Sequence, residues 1–262
     1  LLHYKGLLKR EGEFYQLTHN YKIVLNKLRE EVSNVPAELI QPIEAFLDSH
    51  IPIYLSILNG EHGKIDHYAF YDAFDRLYST EFMLSIMEAY YTTIFNSLRE
   101  LKDKKPIHVI NWGVGSGYEA LLLADMLGSR IKVISVEPNG TLERAPVIQD
   151  FYGLYNVQFI EEKDFDPKEW EGIIDLFIGR TQILRAIKEK IQNILITLSS
   201  QGYFTTLLCT ELSKAFNWIL SIYSQFELVP DKDHFIAILK HYGLGKVKYL
   251  GFDNDLIALQ KV

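Results

Sequence analysis

The sequence has little of what marks secreted, membrane-spanning or nucleic-acid-binding proteins. Its 262 residues include one cysteine, Cys209, which excludes an internal disulfide and favours the cytoplasm. No stretch reaches the roughly 18 consecutive apolar residues of a membrane-spanning helix, so we expect no membrane partner. The net charge of −7 gives no general attraction to a phosphate backbone, and we therefore expect no nucleic-acid partner.

Metal-ligand spacings and targeting signals are also missing. The eight histidines and the acidic residues show no pattern such as H-x-x-x-H or C-x-x-C, so we predict no metal site. The first residues, Leu1 to Lys5, do not resemble a signal peptide, and leucine is not an initiator residue. We therefore expect the chain to begin within a longer protein.

The hydrophobic and charged fractions, 48% and 23%, are those of a folded globular chain. Two short runs around a charged turn predict a β-hairpin within residues 6–18, and helical spacing of apolar residues follows from about 20 to 101. A charged linker then ends in Pro106 and a strand follows at once. We predict two domains, a mainly helical region over 1–104 and an α/β domain over 105–262.

Strands and helices alternate after the linker, which is typical of a parallel sheet covered by helices on both faces. The last two strands are joined by a tight polar turn and predict a hairpin. The predicted fold class is therefore α/β, doubly wound, with a mostly parallel seven-stranded sheet that ends in an antiparallel hairpin. The predicted strands are 107–111, 131–136, 157–160, 173–178, 202–209, 246–252 and 255–260, and the predicted helices are 117–128, 141–152, 181–198 and 232–242.

Three glycines, Gly113, Gly115 and Gly117, follow the first of these strands where a helix is predicted to begin. They let the backbone approach a ligand closely, and the start of the helix offers free N–H groups. The second strand is followed by Glu137, whose carboxylate can accept hydrogen bonds from both hydroxyls of a ribose. The spacing G-x-G-x-G differs from the G-x-G-x-x-G of dinucleotide-binding loops, so we expect a nucleoside cofactor without phosphate.

These features resemble the first two motifs of class I S-adenosylmethionine-dependent methyltransferases, and the resemblance extends over about residues 107–262. It implies S-adenosylmethionine as cofactor, with the glycines along its methionine part, Glu137 on its ribose and the pair Asp164-Phe165 at its adenine. Asn111 stands where the family usually has Asp or Glu, and its amide can bind the cofactor without a charge. The cofactor-binding residues we predict are Asn111, Gly113, Gly115, Gly117, Glu137, Asp164, Phe165 and Arg180.

Structural roles are the alternatives at these positions: a tight turn for the glycines, a solvated strand end for Glu137, and a turn cap before Pro167 for Asp164.

The front segment is similar, more distantly, to that of small-molecule O-methyltransferases with a winged-helix dimerisation region. That resemblance implies a small-molecule substrate and a homodimer. The family's catalytic His-Asp pair has no counterpart in the stretch 177–184, so no catalytic residue is assigned. The function predicted is methyl transfer to an oxygen or nitrogen of a small molecule.

Two other functions fit parts of the sequence. A protein carboxyl methyltransferase of the chemotaxis-receptor type also has a helical front domain, and the stretch Gly117-Tyr118-Glu119 resembles its motif. Its carboxylate acceptor is already ionised and needs no general base. A catalytically silent cofactor-binding scaffold would also account for Asn111 and for the missing His-Asp pair.

Overall fold

The computed structural model describes residues 8–11, 14–17, 80–101, 103–112, 117–137, 145–179, 191–207, 232–251 and 256–261, with positions 41 and 142. The chain divides into two compact units, Leu1–Asp48 and Ser49–Val262. Most of the predicted helical region 20–79 and of the helix predicted over 181–198 lies outside the described residues. The same holds for Gly113, Gly115 and Arg180. The domain boundary at 104/105 stays a prediction.

Apart from position 41, the described part of the first unit is the predicted β-hairpin. Strands β1 (Leu8–Glu11) and β2 (Phe14–Leu17) pair antiparallel, from Leu8 opposite Leu17 to Glu11 opposite Phe14. This register leaves two residues between the strands, Gly12 and Glu13, a common loop length for hairpins. The hairpin prediction is confirmed.

The second unit contains a seven-stranded sheet with the strand order β5-β4-β3-β6-β7-β9-β8. All neighbouring strands from β5 to β7 pair in parallel, whereas β9 pairs antiparallel with both β7 and β8. The predicted sheet and terminal hairpin are therefore confirmed. The strands are β3 (Ile107–Trp112), β4 (Ile131–Glu137), β5 (Val157–Glu161), β6 (Ile174–Gly179), β7 (Leu198–Leu207), β8 (Leu244–Gly251) and β9 (Leu256–Lys261).

Helices cover both faces of this sheet because alternate side chains of every central strand are apolar and buried. One face carries Ile110, Trp112, Phe177 and Phe204, which pack with apolar side chains of the helical residues 191–197 and of a later helix. The opposite face carries Val109 and is covered by helices that contact β4 and β8. The helices are α1 (Glu81–Ser97), α2 (Tyr118–Leu127), α3 (Ala145–Tyr152) and α4 (Lys232–His241).

Within the described residues, no helix combines the length and the apolar character needed to cross a membrane.

Strand β7 begins earlier than the sequence predicts. The prediction ends a helix at Leu198 and starts the strand at Gly202, whereas the helical residues stop at 197 and Leu198 pairs with Ile174 of β6. A register shift follows Ile174, so that Leu176 pairs with Tyr203. The polar residues 199–201 look like a turn in the sequence, yet they belong to a strand that accommodates this irregularity.

Charged side chains connect elements at two places away from the carboxyl ends of the parallel strands. Asp175, near the start of β6, accepts a hydrogen bond from the backbone N–H of His108 at 3.0 Å and forms an ion pair with Lys104. Lys261, at the end of β9, donates to the carbonyl oxygens of Leu195 and Leu198 at 2.6 and 2.7 Å. The last carbonyls of a helix have no intrahelical partner, and Lys261 supplies a donor to that of Leu195 near the end of the helical residues 191–197.

Candidate functional site

The candidate site lies where the order of the strands reverses. The chain runs from β3 to β4 and β5 on one side, and then returns to place β6 on the other side of β3. Open α/β sheets bind ligands at this point, outside the carboxyl ends of the strands. The described residues at these ends include Trp112, Glu137 and Gly179.

Gly117 opens α2 in a conformation that other residues seldom adopt. Its φ is 70° and ψ is −9°, in the left-handed region. A Cβ added there would lie 2.5 Å from the Cβ of Ala145 and 2.8 Å from Cε1 of Phe159. Gly117 therefore lets the start of α2 pack closely against α3 and β5, as the third glycine of nucleotide-binding turns does. Its contact with a cofactor stays a prediction.

Asn111 is fully buried on β3, with Ser135 of β4 and Ile178 of β6 as its neighbours across the sheet. Among the described residues, neither its Oδ1 nor its Nδ2 atom has a hydrogen-bond partner. An unsatisfied buried amide costs about 1–3 kcal/mol and is uncommon in folded proteins. The amide therefore fits a position that serves a ligand with polar groups.

Glu137 ends β4 and is fully buried, in contrast to a solvated strand end. Its Oε1 accepts a hydrogen bond of 2.5 Å from the hydroxyl of Ser135, which is also fully buried. Side chains two residues apart on a strand lie on the same face, and Ser135 is the register neighbour of Asn111. Asn111, Ser135 and Glu137 thus form a continuous set of polar side chains on one face, here called the polar row.

An ion pair between the end of β5 and the turn after it lies beside the polar row. Glu161 lies opposite Glu137 in the sheet, and like charges in this position repel each other. Lys163 places its Nζ 2.6 Å from Oε2 of Glu161. The hydrogen bond with Glu161, followed by the attraction between the two charges, raises the pKa of Lys163 above its ordinary value.

The predicted adenine pair occupies a turn after β5. Asp164 is exposed at the end of a 3₁₀ turn, and Phe165 is half-buried. The Phe165 ring meets Trp112 edge to face, with centroids 5.5 Å apart, and Trp112 stacks on Phe177 at 6.0 Å. Phe165 therefore packs against the aromatic side chains at the end of β3, and its contact with adenine stays a prediction.

Ser135 and Trp112 are the site residues that the sequence prediction does not include. Ser135 is the one polar residue among the four residues 133–136, and it lies two positions before Glu137 and therefore on the same face. That spacing is a signal from which it could have been found. Glu119 is a further buried polar residue, in the first turn of α2. The positive end of the helix dipole stabilises a carboxylate at this position.

Among the residues with described positions, no group of three or more His, Cys, Asp or Glu side chains could hold a metal ion.

No protein-family model matches the sequence, and none of the curated proteins is detectably similar to it. Solved structures do match. An O-methyltransferase family protein from Burkholderia thailandensis superposes with a TM-score of 0.63 at 15% identity, over 99% of this chain and 81% of that one. The chain has the class I methyltransferase fold.

Two further solved structures share this methyltransferase fold. The CurJ carbon methyltransferase has a TM-score of 0.64 at 14% identity, over 100% of this chain and 77% of its own. The pyocyanin biosynthetic protein PhzM has a TM-score of 0.54 at 12% identity, over 100% of this chain and 82% of its own. In the methyltransferase fold of this chain, the polar row lies at the reversal point of the sheet.

Proposed function

We propose that the chain is an S-adenosylmethionine-dependent methyltransferase that acts on an oxygen or nitrogen of a small molecule. The observation that carries the proposal is the polar row: a buried amide without a partner, beside a buried serine–glutamate pair, at the reversal point of a methyltransferase fold. The similar structures include proteins described as O-methyltransferase and carbon methyltransferase. The choice of oxygen or nitrogen as the acceptor atom is therefore supported by the sequence resemblance alone.

The described residues fit the chemistry of this cofactor. Glu137 offers carboxylate oxygens that can accept from the two ribose hydroxyls, and Asn111 offers both a donor and an acceptor to the amino-acid part. Asp164 and Phe165 would contact adenine, while Gly113, Gly115 and Arg180 would complete the site. The cofactor, when bound, supplies an electrophilic methyl group on a sulfonium.

The protein's own contribution to such a step is to align the acceptor with the methyl group and to exclude water. Buried side chains at the ends of β3 and β4 are suited to hold the cofactor in one orientation. No side chain is assigned as a general base. An acceptor that is already a good nucleophile would not need one.

We also propose that the front region contains a winged-helix unit through which two copies form a dimer, and that the protein acts in the cytoplasm. The resemblance of the front segment and the single cysteine support these proposals. A monomeric mass in light scattering of the full-length protein would count against the dimer.

Calorimetric titration with S-adenosylmethionine and S-adenosylhomocysteine tests the proposed function. We expect both to bind. We expect Glu137→Gln to weaken binding at least about tenfold, because hydrogen bonds from the ribose to a charged carboxylate contribute about 1.5–3 kcal/mol and the variant removes the charge. Glu100→Gln is the matched control, since Glu100 is an exposed carboxylate paired with Lys248. Absence of binding at millimolar concentration would contradict the proposal.

Binding without turnover is a separate outcome. If S-adenosylhomocysteine binds but no methyl transfer is detected with hydroxyl, amine and carboxylate acceptors, the catalytically silent scaffold is the better description. Transfer to carboxylates of a protein acceptor alone would favour the protein carboxyl methyltransferase.

A further inference from the structure

Ser135 differs from the buried threonines of the described residues in what it binds. Thr197 and Thr205 donate to backbone carbonyl oxygens, at 2.8 and 3.4 Å, and the hydroxyl of Thr206 has no partner. Ser135 instead donates to a side-chain carboxylate, that of Glu137, at 2.5 Å. A hydrogen bond to a charged acceptor is shorter and roughly twice as strong as one between neutral groups.

Ser135 places a hydroxyl at a buried position of the sheet. The residue is fully buried between Ile134 and Val136, in a strand where β-branched apolar residues are the usual choice. Burial of a hydroxyl is costly unless it is hydrogen-bonded, and here the bond connects two side chains of the same strand face. It therefore adds little to the connection between elements, but it restricts the orientation of the Glu137 carboxylate.

A restricted carboxylate suits the recognition of a diol. The Glu137 side chain has three rotatable bonds, so an unsupported carboxylate would lose conformational freedom when a ligand binds. The serine proton is directed at Oε1, and this bond uses one of the about four acceptor positions of a carboxylate. Supporting hydrogen bonds of this kind lower the entropic cost of binding by pre-organising the group that touches the ligand.

We propose that Ser135 is a positioning residue, whose hydroxyl holds the Glu137 carboxylate in the orientation that accepts the two hydroxyls of a ribose. This inference rests on the proposed function. It places the selectivity of the site for a ribose over a deoxyribose in a pair of residues, the second of which does not touch the ligand.

The test compares two ligands, S-adenosylhomocysteine and its 2′-deoxy form, by calorimetry. In Ser135→Ala we expect binding of S-adenosylhomocysteine to weaken about tenfold, the effect of one charge-assisted hydrogen bond, and binding of the 2′-deoxy form to weaken much less. Ser135→Thr retains the hydroxyl and should recover most of the affinity. In a Glu137→Ala background, Ser135→Ala should have no further effect.

Two controls keep the outcome interpretable. Ser135→Cys keeps nearly the same volume with a much weaker donor, so it should behave as Ser135→Ala does even if the alanine variant folds poorly. Thr205→Val removes another buried hydroxyl, one that bonds to a backbone carbonyl, and should leave both affinities unchanged.

Equal weakening for the two ligands, or affinities unchanged in a folded Ser135→Ala, would overturn the role of Ser135. Failure of the unmodified protein to bind S-adenosylhomocysteine would instead contradict the proposed function.

Discussion

The buried amide of Asn111 lowers the stability of the fold, because its polar atoms are desolvated without hydrogen bonds from the described residues. Leucine has nearly the same shape, but the asparagine buries two polar atoms that have no partner. We predict that Asn111→Leu raises the free energy of unfolding by about 1–3 kcal/mol, because it removes the desolvation cost of the amide. The same variant should bind S-adenosylhomocysteine more weakly. Denaturant unfolding and calorimetry measure the two effects.

An Asn111→Leu variant that is less stable, with unchanged affinity, would show that the amide belongs to the packing of β3 and has no ligand. Stability and affinity moving in opposite directions is the expected signature, since residues at functional sites are often not optimal for folding.

At the residue scale, spacing predicts which residues lie at the carboxyl ends of the strands. The positions of Asn111 and Glu137 are predicted because a glycine-rich turn and an acidic strand end have fixed distances along the chain. The contact between Ser135 and Glu137 could not be predicted, because it depends on side-chain rotamers. Nor could the packing of Gly117 against Ala145 and Phe159, which come from elements far along the sequence.

Among the secondary-structure elements, the ion pair between Glu100 and Lys248 joins the turn after α1 to β8, with Oε1 and Nζ 2.6 Å apart. The hydrogen bond with Lys248 lowers the pKa of Glu100 below its ordinary value of 4.5. Desolvation is the largest single effect on the pKa of Lys248 and lowers it. The hydrogen bonds with Glu100 and Tyr203 together outweigh desolvation, so the pKa of Lys248 is raised above its ordinary value.

The lowered pKa of Glu100 gives a pH dependence of definite sign. The pair contributes its full stability above the pKa of Glu100 in the unfolded chain, and the contribution is lost as the pH falls through the lower pKa of the folded state. Because 57% of the Glu100 side chain is exposed, solvent screening limits the effect to at most about 1 kcal/mol. We predict that Glu100→Gln is less stable than the unmodified protein at neutral pH and that the difference disappears in acid. Denaturant unfolding of both proteins at a series of pH values from neutral to acid measures this difference. A difference in stability that does not change with pH would contradict the prediction.

Most strand bounds were predicted within two residues because each run of apolar residues is limited by charged or turn-forming ones. β7 is the exception: its first residues, 198–201, are polar apart from Leu198, and only their pairing with β6 identifies them as a strand. Local sequence cannot predict pairing that depends on a distant neighbour. The 3₁₀ turns after β5 were missed for a similar reason, since they are short and have no periodicity.

Across the whole molecule, the proposed site lies at the carboxyl ends of the parallel strands, whereas Asp175 pairs with Lys104 and His108 near their amino ends. Asp175 lies four residues before Gly179 on β6, about 13 Å from the carboxyl end of that strand. We predict that Asp175→Asn lowers the free energy of unfolding by about 1–3 kcal/mol, because the ion pair with Lys104 is lost and the bond from His108 weakens. Binding of S-adenosylhomocysteine should stay unchanged. Glu137→Gln is the counterpart, in which affinity should be the larger effect, and a loss of affinity in Asp175→Asn would contradict this separation.

The place of β9 in the sheet has a consequence for aggregation. Strand β9 follows β8 in the chain but lies between β7 and β8. Without β9, strand β8 therefore has no strand beside it, and one edge of β7 is open. Unpaired strand edges can pair with other chains. A variant truncated after Gly251 should accordingly aggregate more readily than the unmodified protein, and light scattering of the two at equal concentration measures the difference.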